Sequence, residues 1–410
     1  MAIKHNMYNV YEMHHMVVSP WRTAANVMQR MYDSPFNPYH SNPLTRTASA
    51  GLEVFERLTR KYTKPEFGII ATKVNGKEVK ITQKTVLQKS FCNLVHFEKK
   101  GNIKQPKLMI VAPMSGHYAT LLRGTVEDAL PYFDVYITDW VNPRDVPMTD
   151  GYFDLDDYID YVIEFTEFLK GDVHIMGVCQ PVVPIAAAVS IMEHEGNKYS
   201  PKSMILVGGP IDGRINPTMV NDLADKKSIE WFEQNLITRV PFNYKGFMRP
   251  VYPGFLQLAG FISMKPEQHA QKHHDYFNHL IIGDEDSAEK HEKFYDEYLS
   301  VMDLTAEFYL QTIKTVFQDF ALPLGKMKSR GRPVNMANIR RTALLALEGE
   351  KDDIAGVGQS KAALTLSKNL PEKMKQYHLQ PDVGHYGIFS GSKYREHIVP
   401  IMRDFVKKHD

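Results

Sequence analysis

The chain has 410 residues, with 49 Lys and Arg against 48 Asp and Glu for a net charge of +1, and 43% of it is apolar. At roughly 100 to 200 residues per domain this allows a few domains, or one large α/β domain with an insertion, and it excludes disordered, fibrous and collagen-like classes. The charge balance argues against a broad nucleic-acid surface or an acidic tail, and two cysteines, Cys92 and Cys179, are too few for a disulfide framework or a zinc cluster.

The N-terminus lacks the apolar core and small-residue cleavage site of a secretory signal. The longest apolar run, Val182 to Met192, is interrupted by Pro184 and Ser190 and falls short of the roughly 20 residues of a membrane span. A soluble, cytoplasmic protein of a reducing compartment with no transmembrane segment is expected. Residues 1–63 mix aromatics and methionines with polar residues, and Leu52, Phe55, Leu58 and Tyr62 recur at helical spacing. They predict an amphipathic helical arm packed on its own domain, with attachment to an outside surface as the rival reading. Lys84 to Lys99 reads as a strand running to a turn at Gly101-Asn102, with Cys92 as a small buried hydrophobe.

Short β-branched apolar runs then alternate with amphipathic stretches: Leu108–Ala112, Val135–Thr138, Val173–Met176, Met204–Val207 and, later, Ala343–Leu347. The spacing of the first four is close to one strand-plus-helix unit each, so an α/β fold with a mostly parallel central sheet flanked by helices is predicted. Between Val207 and Ala343 the rhythm stops. Helical patterns such as Glu292 to Phe320 and an aromatic, proline-rich stretch from Phe242 to Phe255 fill the gap. The expected organisation is an arm over 1–63, a core over 64–212, a mainly helical cap or lid over 213–335 and the rest of the core over 336–410. The cap aromatics, Trp231 and Phe232 among them, are expected to build the cap's own core, with a binding role as the rival.

The sharpest local signal runs from Val173 to Ala188. A strand enters a tight turn at Gly177-Val178-Cys179 and leaves it as an apolar helix, the setting of a nucleophile elbow with cysteine in place of serine. The competing reading of Cys179 is a buried structural thiol. A helix N-terminus favours its thiolate. Pro181 suits a first helical turn, whereas Pro184 is expected to loosen or bend the helix start. An elbow requires an acid and then a histidine downstream. Gly349 followed by Asp352 supplies the acid, with Asp353 as competitor, and His385, between Gly384 and Tyr386 on a strand-end loop, is the candidate base. The oxyanion hole needs the N–H of Gln180 and one from the loop after Ala112, from Met114 or Ser115, each worth about 3 kcal/mol of barrier. In the same loop Gly116 keeps the turn open, and His117 and Tyr118 are expected to face the acyl pocket. Ser115 as nucleophile is disfavoured because it has no elbow. His269, His273, His274 and His279 are read as a solvated helix face and not as a metal site, and His174 as a packed core residue, so no metal or cofactor is expected.

With these residues in place, the chain resembles the intracellular polyhydroxybutyrate depolymerases over nearly its whole length. The resemblance rests on Met31 to Tyr39, Ala112 to Gly124, Thr138 to Pro147, the Cys179 elbow, Glu348 to Gly358 and Val383 to Gly391. It implies an α/β-hydrolase fold, a Cys179–Asp352–His385 triad, and ester cleavage in reserve polyester granules that releases 3-hydroxybutyrate or oligomers to water, with a thiol such as coenzyme A as the alternative acceptor. Candidate substrate contacts are His117, Tyr118, Trp140 and Tyr386. The expected partner is the polymer or granule surface, with no nucleic acid; the oligomeric state, a homo-oligomer included, stays open. Trp140, Asn142 and Pro143 also resemble the polyester synthases, which makes an acyltransferase using 3-hydroxybutyryl-coenzyme A the alternative. A non-enzymatic granule coat is a third reading.

Overall fold

The structure, a computed structural model, describes residues 7–410; the first six residues of the expected arm lie outside the described residues. Two helices come first, α1 (Met7–Tyr32) and α2 (Pro43–Thr59), packed as a hairpin. Asn42 caps α2, its side chain accepting the N–H of Leu44, and Pro43 at the first helical position loses no hydrogen bond there.

Three antiparallel strands follow: β1 (Ala71–Val74), β2 (Lys77–Gln88) and β3 (Cys92–Lys99). The single strand expected over Lys84 to Lys99 is in fact the end of β2, a turn, and β3. Strand residues stand on both sides of the turn, and local β propensity carries no mark of where a hairpin reverses. The alternating core then runs through β4 (Lys107–Val111), α3 (Arg123–Ala129), β5 (Asp134–Trp140), α4 (Leu155–Phe168), β6 (His174–Val178), α5 (Val182–His194) and β7 (Ser203–Val207).

From Gly208 to Thr342 the chain adds no strand to this sheet. The insertion holds α6 (Met219–Lys226), α7 (Ile229–Leu236), β8 (Thr238–Arg239), β9 (Pro250–Tyr252), α8 (Gly254–Met264), α9 (Pro266–Ile282), α10 (Glu285–Tyr298), β10 (Leu304–Thr305), α11 (Ala306–Thr312) and a small hairpin, β11 (Lys328–Ser329) with β12 (Arg332–Pro333). The continuous helix suggested over Glu292 to Phe320 is broken. Residues 299–305 leave α10, bridge His117 through Val301 and pair β10 with β9, because hydrogen bonding to another segment outweighs helical periodicity there. The sheet resumes with β13 (Ala343–Gly349), α12 (Ala362–Leu366), β14 (Lys375–Gln380) and α13 (Val399–His409).

The nine strands lie in the order β1-β2-β3-β5-β4-β6-β7-β13-β14, parallel from β5 to β14. The inner strands are apolar on both faces because helices cover both; β6, β7 and β13 are buried at every residue. Helix α5 is buried along nearly its whole length, which is why it has no polar stripe. This is the α/β-hydrolase fold. Among the described residues no helix is long and apolar enough to cross a membrane.

Buried polar groups tie the insertion and the N-terminal hairpin to the core. The Arg249 guanidinium donates to the carbonyls of Gly151 (2.7 Å), Pro147 (2.7 Å) and Val146 (3.1 Å). The Asp303 carboxylate, fully enclosed, accepts the Tyr8 hydroxyl at 2.9 Å and the Gly254 N–H at 2.9 Å. Burial raises the pKa of Asp303, opposed by the nearby Arg144. Arg57 of α2 pairs with Asp296 of α10 at 2.6 Å. A buried charge is tolerated only when it is paired or hydrogen-bonded, so these contacts specify how the hairpin sits on the insertion.

Candidate active site

Strand β6 ends at Val178, and Cys179 takes φ +67°, the left-handed region that non-glycine residues avoid. The strain persists because neighbours over-determine it. The Cys179 N–H donates to the Val207 carbonyl at 2.7 Å, and a Cβ on Gly209 would lie 2.1 Å from the Cys179 carbonyl oxygen. A Cβ on Gly177 would lie 2.4 Å from the Ile185 side chain, so glycine there lets α5 approach the strand. Pro181 caps α5 and Pro184 is its third residue. The helix runs unbroken through Pro184, since a third-position N–H has no acceptor within the helix and its loss costs nothing. The sulfur of Cys179, half-buried, therefore stands at the head of a buried helix.

After β13 the chain turns, with the Asp352 N–H donating to the Gly349 carbonyl. Asp352 Oδ1 accepts the N–H groups of Ile354 and Ala355, each at 2.9 Å, and Oδ2 accepts His385 Nδ1–H at 2.8 Å. Asp353 points away and pairs with Lys265, at the junction of α8 and α9, at 2.5 Å. His385 is 6% exposed, and the Cys179 side chain lies close enough to act on its charge. Burial alone would pull its pKa down, but the adjacent sulfur and Asp352 outweigh that and hold it up at about 10.

The sign of that shift gives an expected pH dependence. A histidine whose pKa rises on folding contributes stability that is complete below its unfolded value of about 6.5 and lost as pH rises through its folded value. The imidazolium beside the sulfur thus survives across neutral pH. The alkaline limb of kcat/KM for a soluble ester, which reports the free enzyme, is expected near pH 10. A limb at pH 6 to 7 would overturn the raised pKa of His385.

One carboxylate that sequence reasoning missed organises the acid loop. Glu348, buried at the end of β13, accepts the N–H groups of Ser360 (2.7 Å), Gly358 (2.8 Å) and Lys361 (2.9 Å) and the Tyr377 hydroxyl (2.7 Å). Its neighbour Ser360 accepts the Gly209 N–H at 2.7 Å and donates to the Gly209 carbonyl at 2.9 Å, so the acid loop and the elbow share one support. A strand-end glutamate carries no local mark of such a role.

The loop after β4 is held at its base, where the Ala112 carbonyl accepts the Trp140 indole N–H at 2.8 Å and the Tyr158 hydroxyl at 3.0 Å. Met114 N–H donates to the Gln180 side-chain oxygen at 3.3 Å, which brings the loop against the residue after Cys179. Ser115 is half-buried beside it. Gly116 has φ +108° and accepts the Met302 N–H at 2.7 Å, and the Gln257 side chain fills the space a Cβ would need.

The four expected pocket residues part company. Tyr386, half-buried, lies beside His385 and meets Tyr298 and Phe294 of α10. Trp140 does not face a pocket: it is fully buried against Tyr158 and Phe153, where its N–H finds the Ala112 carbonyl. Tyr118 is buried too, accepting the Asn142 side-chain N–H at 3.0 Å. His117 is enclosed by Tyr298 and Phe261, donates to the Tyr298 carbonyl at 3.0 Å, and is driven by burial down to about 4, so it stays neutral. These three support the loop from below and from the insertion, because the aromatic rings gain more by burial than by facing water.

Elsewhere, Cys92 is buried in β3, and His174 is buried with its ring nitrogen 2.7 Å from the Ser203 hydroxyl. His269 and His273 are not the solvated face expected. Both are half-buried against α10, with His269 2.9 Å from the Tyr295 hydroxyl and His273 packed on Tyr295 and His291. Phe232 is buried and Trp231 packs against it, whereas Phe242 is exposed.

Among solved structures, a putative lipase from Acinetobacter baumannii AYE matches at 16% identity, covering 80% of this chain and 93% of its own, with a TM-score of 0.42. A hydrolase from Pseudomonas aeruginosa PA01 matches at 12% identity over 79% of this chain and 98% of its own, with a TM-score of 0.47. An esterase from Rhodococcus sp. ECU1013 matches at 14% over 81% and 99%, with a TM-score of 0.45. No curated protein matches the chain. Residues 208–410, which carry the insertion, Asp352 and His385 but not Cys179, match the family described as PHB de-polymerase C-terminus. Over residues 208–410 the chain belongs to the PHB depolymerase family.

Proposed function

We propose that the protein is a depolymerase that hydrolyses ester bonds of poly(3-hydroxybutyrate), the polymer of storage granules, through a Cys179–His385–Asp352 triad. The observation that carries this reading is His385 hydrogen-bonded to Asp352 and held beside the side chain of a strained cysteine at the head of a buried helix. The family match over residues 208–410 supports this substrate class.

The sulfur, its proton held by His385, attacks an ester carbonyl, and the carbonyl π electrons move onto oxygen. The N–H groups of Gln180 and Met114 receive that oxyanion, and the Gln180 side chain must yield its contact with Met114 as the oxyanion arrives. When the tetrahedral carbon collapses, the C–O bond breaks and His385 protonates the departing hydroxyl, leaving a 3-hydroxybutyryl thioester on Cys179. Water, deprotonated by His385, then releases the acid and the thiol. Asp352 stays ionised and holds the ring. The helical insertion serves as a lid, with Tyr298, Phe294 and Tyr386 beside the catalytic histidine.

The test is the release of soluble 3-hydroxybutyrate and oligomers from protein-free amorphous polymer particles. Release supports hydrolysis. No release by folded protein, with polymer formed from 3-hydroxybutyryl-coenzyme A, would replace it by the synthase reading.

A further inference from the structure

The outer face of α1 is long, apolar and almost without charge. Fifteen residues between Asn9 and Met31 are exposed, ten of them are apolar, and Arg30 is the one with a full charge. On α13, by contrast, the four exposed residues are Arg403, Asp404, Lys407 and Lys408. Trp21 is 69% exposed, Met16 74% and Met31 66%. At 3.6 residues per turn the apolar side chains sweep an arc of about 140° and run about 30 Å along the helix. Large exposed apolar patches on a soluble protein mark interaction sites.

Three features select the occupant. The arc is wider than the narrow a/d seam that a helix–helix pair buries, which suits an extended surface better than a second copy of the chain. Adsorption to an anionic bilayer calls for several lysines and arginines flanking the apolar face; α1 has no lysine, Arg22 is turned back to the Thr59 carbonyl and His15, and Arg30 in the last turn is its one exposed cation. A polyester surface is apolar and uncharged, and matches a face almost without charge. Methionines, flexible and polarisable, suit contact with a disordered polymer. On its opposite, inward side the same helix is packed against the machinery already described. Tyr11 of α1 stacks on Phe255 at 4.3 Å, and Phe255 opens α8, whose Gln257 lies over the oxyanion loop at Gly116.

We propose that this face of α1, centred on Val10, Met13, Val17, Trp21, Met28 and Met31, is the surface by which the enzyme adsorbs to amorphous poly(3-hydroxybutyrate). The inference rests on the polymer as substrate. Its test separates adsorption from chemistry. Val17→Glu/Met28→Glu places two charges in the arc without touching the catalytic residues, and Trp21→Ala serves as a milder second variant.

The double variant is expected to partition onto protein-free amorphous polymer particles at least tenfold less than wild type, and Trp21→Ala severalfold less. Turnover of a soluble 3-hydroxybutyrate dimer ester should stay within twofold for both. Unchanged adsorption by both folded variants overturns the proposal, as does a wild type that does not adsorb at all. Loss of a wild-type dimer in sedimentation with adsorption intact assigns the face to a second copy and overturns it. Loss of binding to phosphatidylcholine or phosphatidylglycerol vesicles with polymer adsorption intact overturns it in favour of lipid. Adsorption that depends on α1 without any soluble product leaves this inference standing and removes the depolymerase reading.

Discussion

Cys179→Ala is expected to lower hydrolysis of both polymer and a soluble 3-hydroxybutyrate ester by at least about 10³-fold, and His385→Ala by a similar factor, because members of a triad act as a unit. Asp352→Asn should cost about 10³- to 10⁴-fold, since the amide no longer accepts His385 Nδ1–H and the ring loses the partner that orients it. Asp353→Asn should stay within a few-fold of wild type, because that side chain pairs at the surface with Lys265. Initial rates on the soluble ester, with thermal melts to confirm folding, provide the comparison. Loss of activity in Asp353→Asn with retention in Asp352→Asn would reverse the assignment of the acid. Retained activity in Cys179→Ala would remove covalent catalysis altogether.

The second large effect is expected where no reacting atom sits. In Gly209→Ala the new methyl group would lie 2.1 Å from the Cys179 carbonyl oxygen and 2.4 and 2.8 Å from the Val182 methyls. None of these yields cheaply. The carbonyl belongs to the elbow, whose N–H is bonded to Val207, and Val182 opens the buried helix α5. Overpacking of this kind costs about 3 kcal/mol, and displacing the nucleophile by about 1 Å costs about 10²-fold in rate. Gly209→Ala should therefore lose stability and activity together, read by thermal melting and soluble-ester kinetics. Gly208→Ala next door would meet Ile388 Cδ1 at 2.3 Å, Asp352 Oδ2 at 3.2 Å and His385 Cε1 at 3.6 Å, and its φ of +52° strains any side chain, so activity is expected to fall there too. Wild-type behaviour of Gly209→Ala would mean that the elbow can slide as a body.

Local regularity accounts for what could be read without coordinates. A parallel strand buried on both faces is a short apolar run, so β4, β5, β6, β7 and β13 announce themselves in the sequence. A turn that needs glycine before the nucleophile and a helix after it is equally local, which is why Gly177 and Cys179 stand out. Hairpin reversal between β2 and β3, and the break after α10, escaped because each depends on a distant partner: β3 pairs with β5, and Val301 with His117.

Side-chain direction escaped for the same reason. Asp352 and Asp353 are adjacent and alike; one step along the chain turns the first toward His385 and the second toward Lys265. Trp140 and Tyr118 carry the chemistry of pocket residues, yet their polar ends find partners at Ala112 and Asn142 and their rings are buried. Glu348 looks like any strand-end carboxylate until four donors converge on it. The apolar face of α1 shows only once α2 is seen to cover the opposite side. The sequence by itself determined the inner strands β4, β5, β6, β7 and β13, the pause in their rhythm between β7 and β13 and the glycine-bearing turn before Cys179, because periodicity and turn chemistry act over a few residues. Tertiary structure alone decided which carboxylate meets the histidine, which aromatics are enclosed and which apolar face is left to solvent, because these follow from contacts between segments tens to hundreds of residues apart.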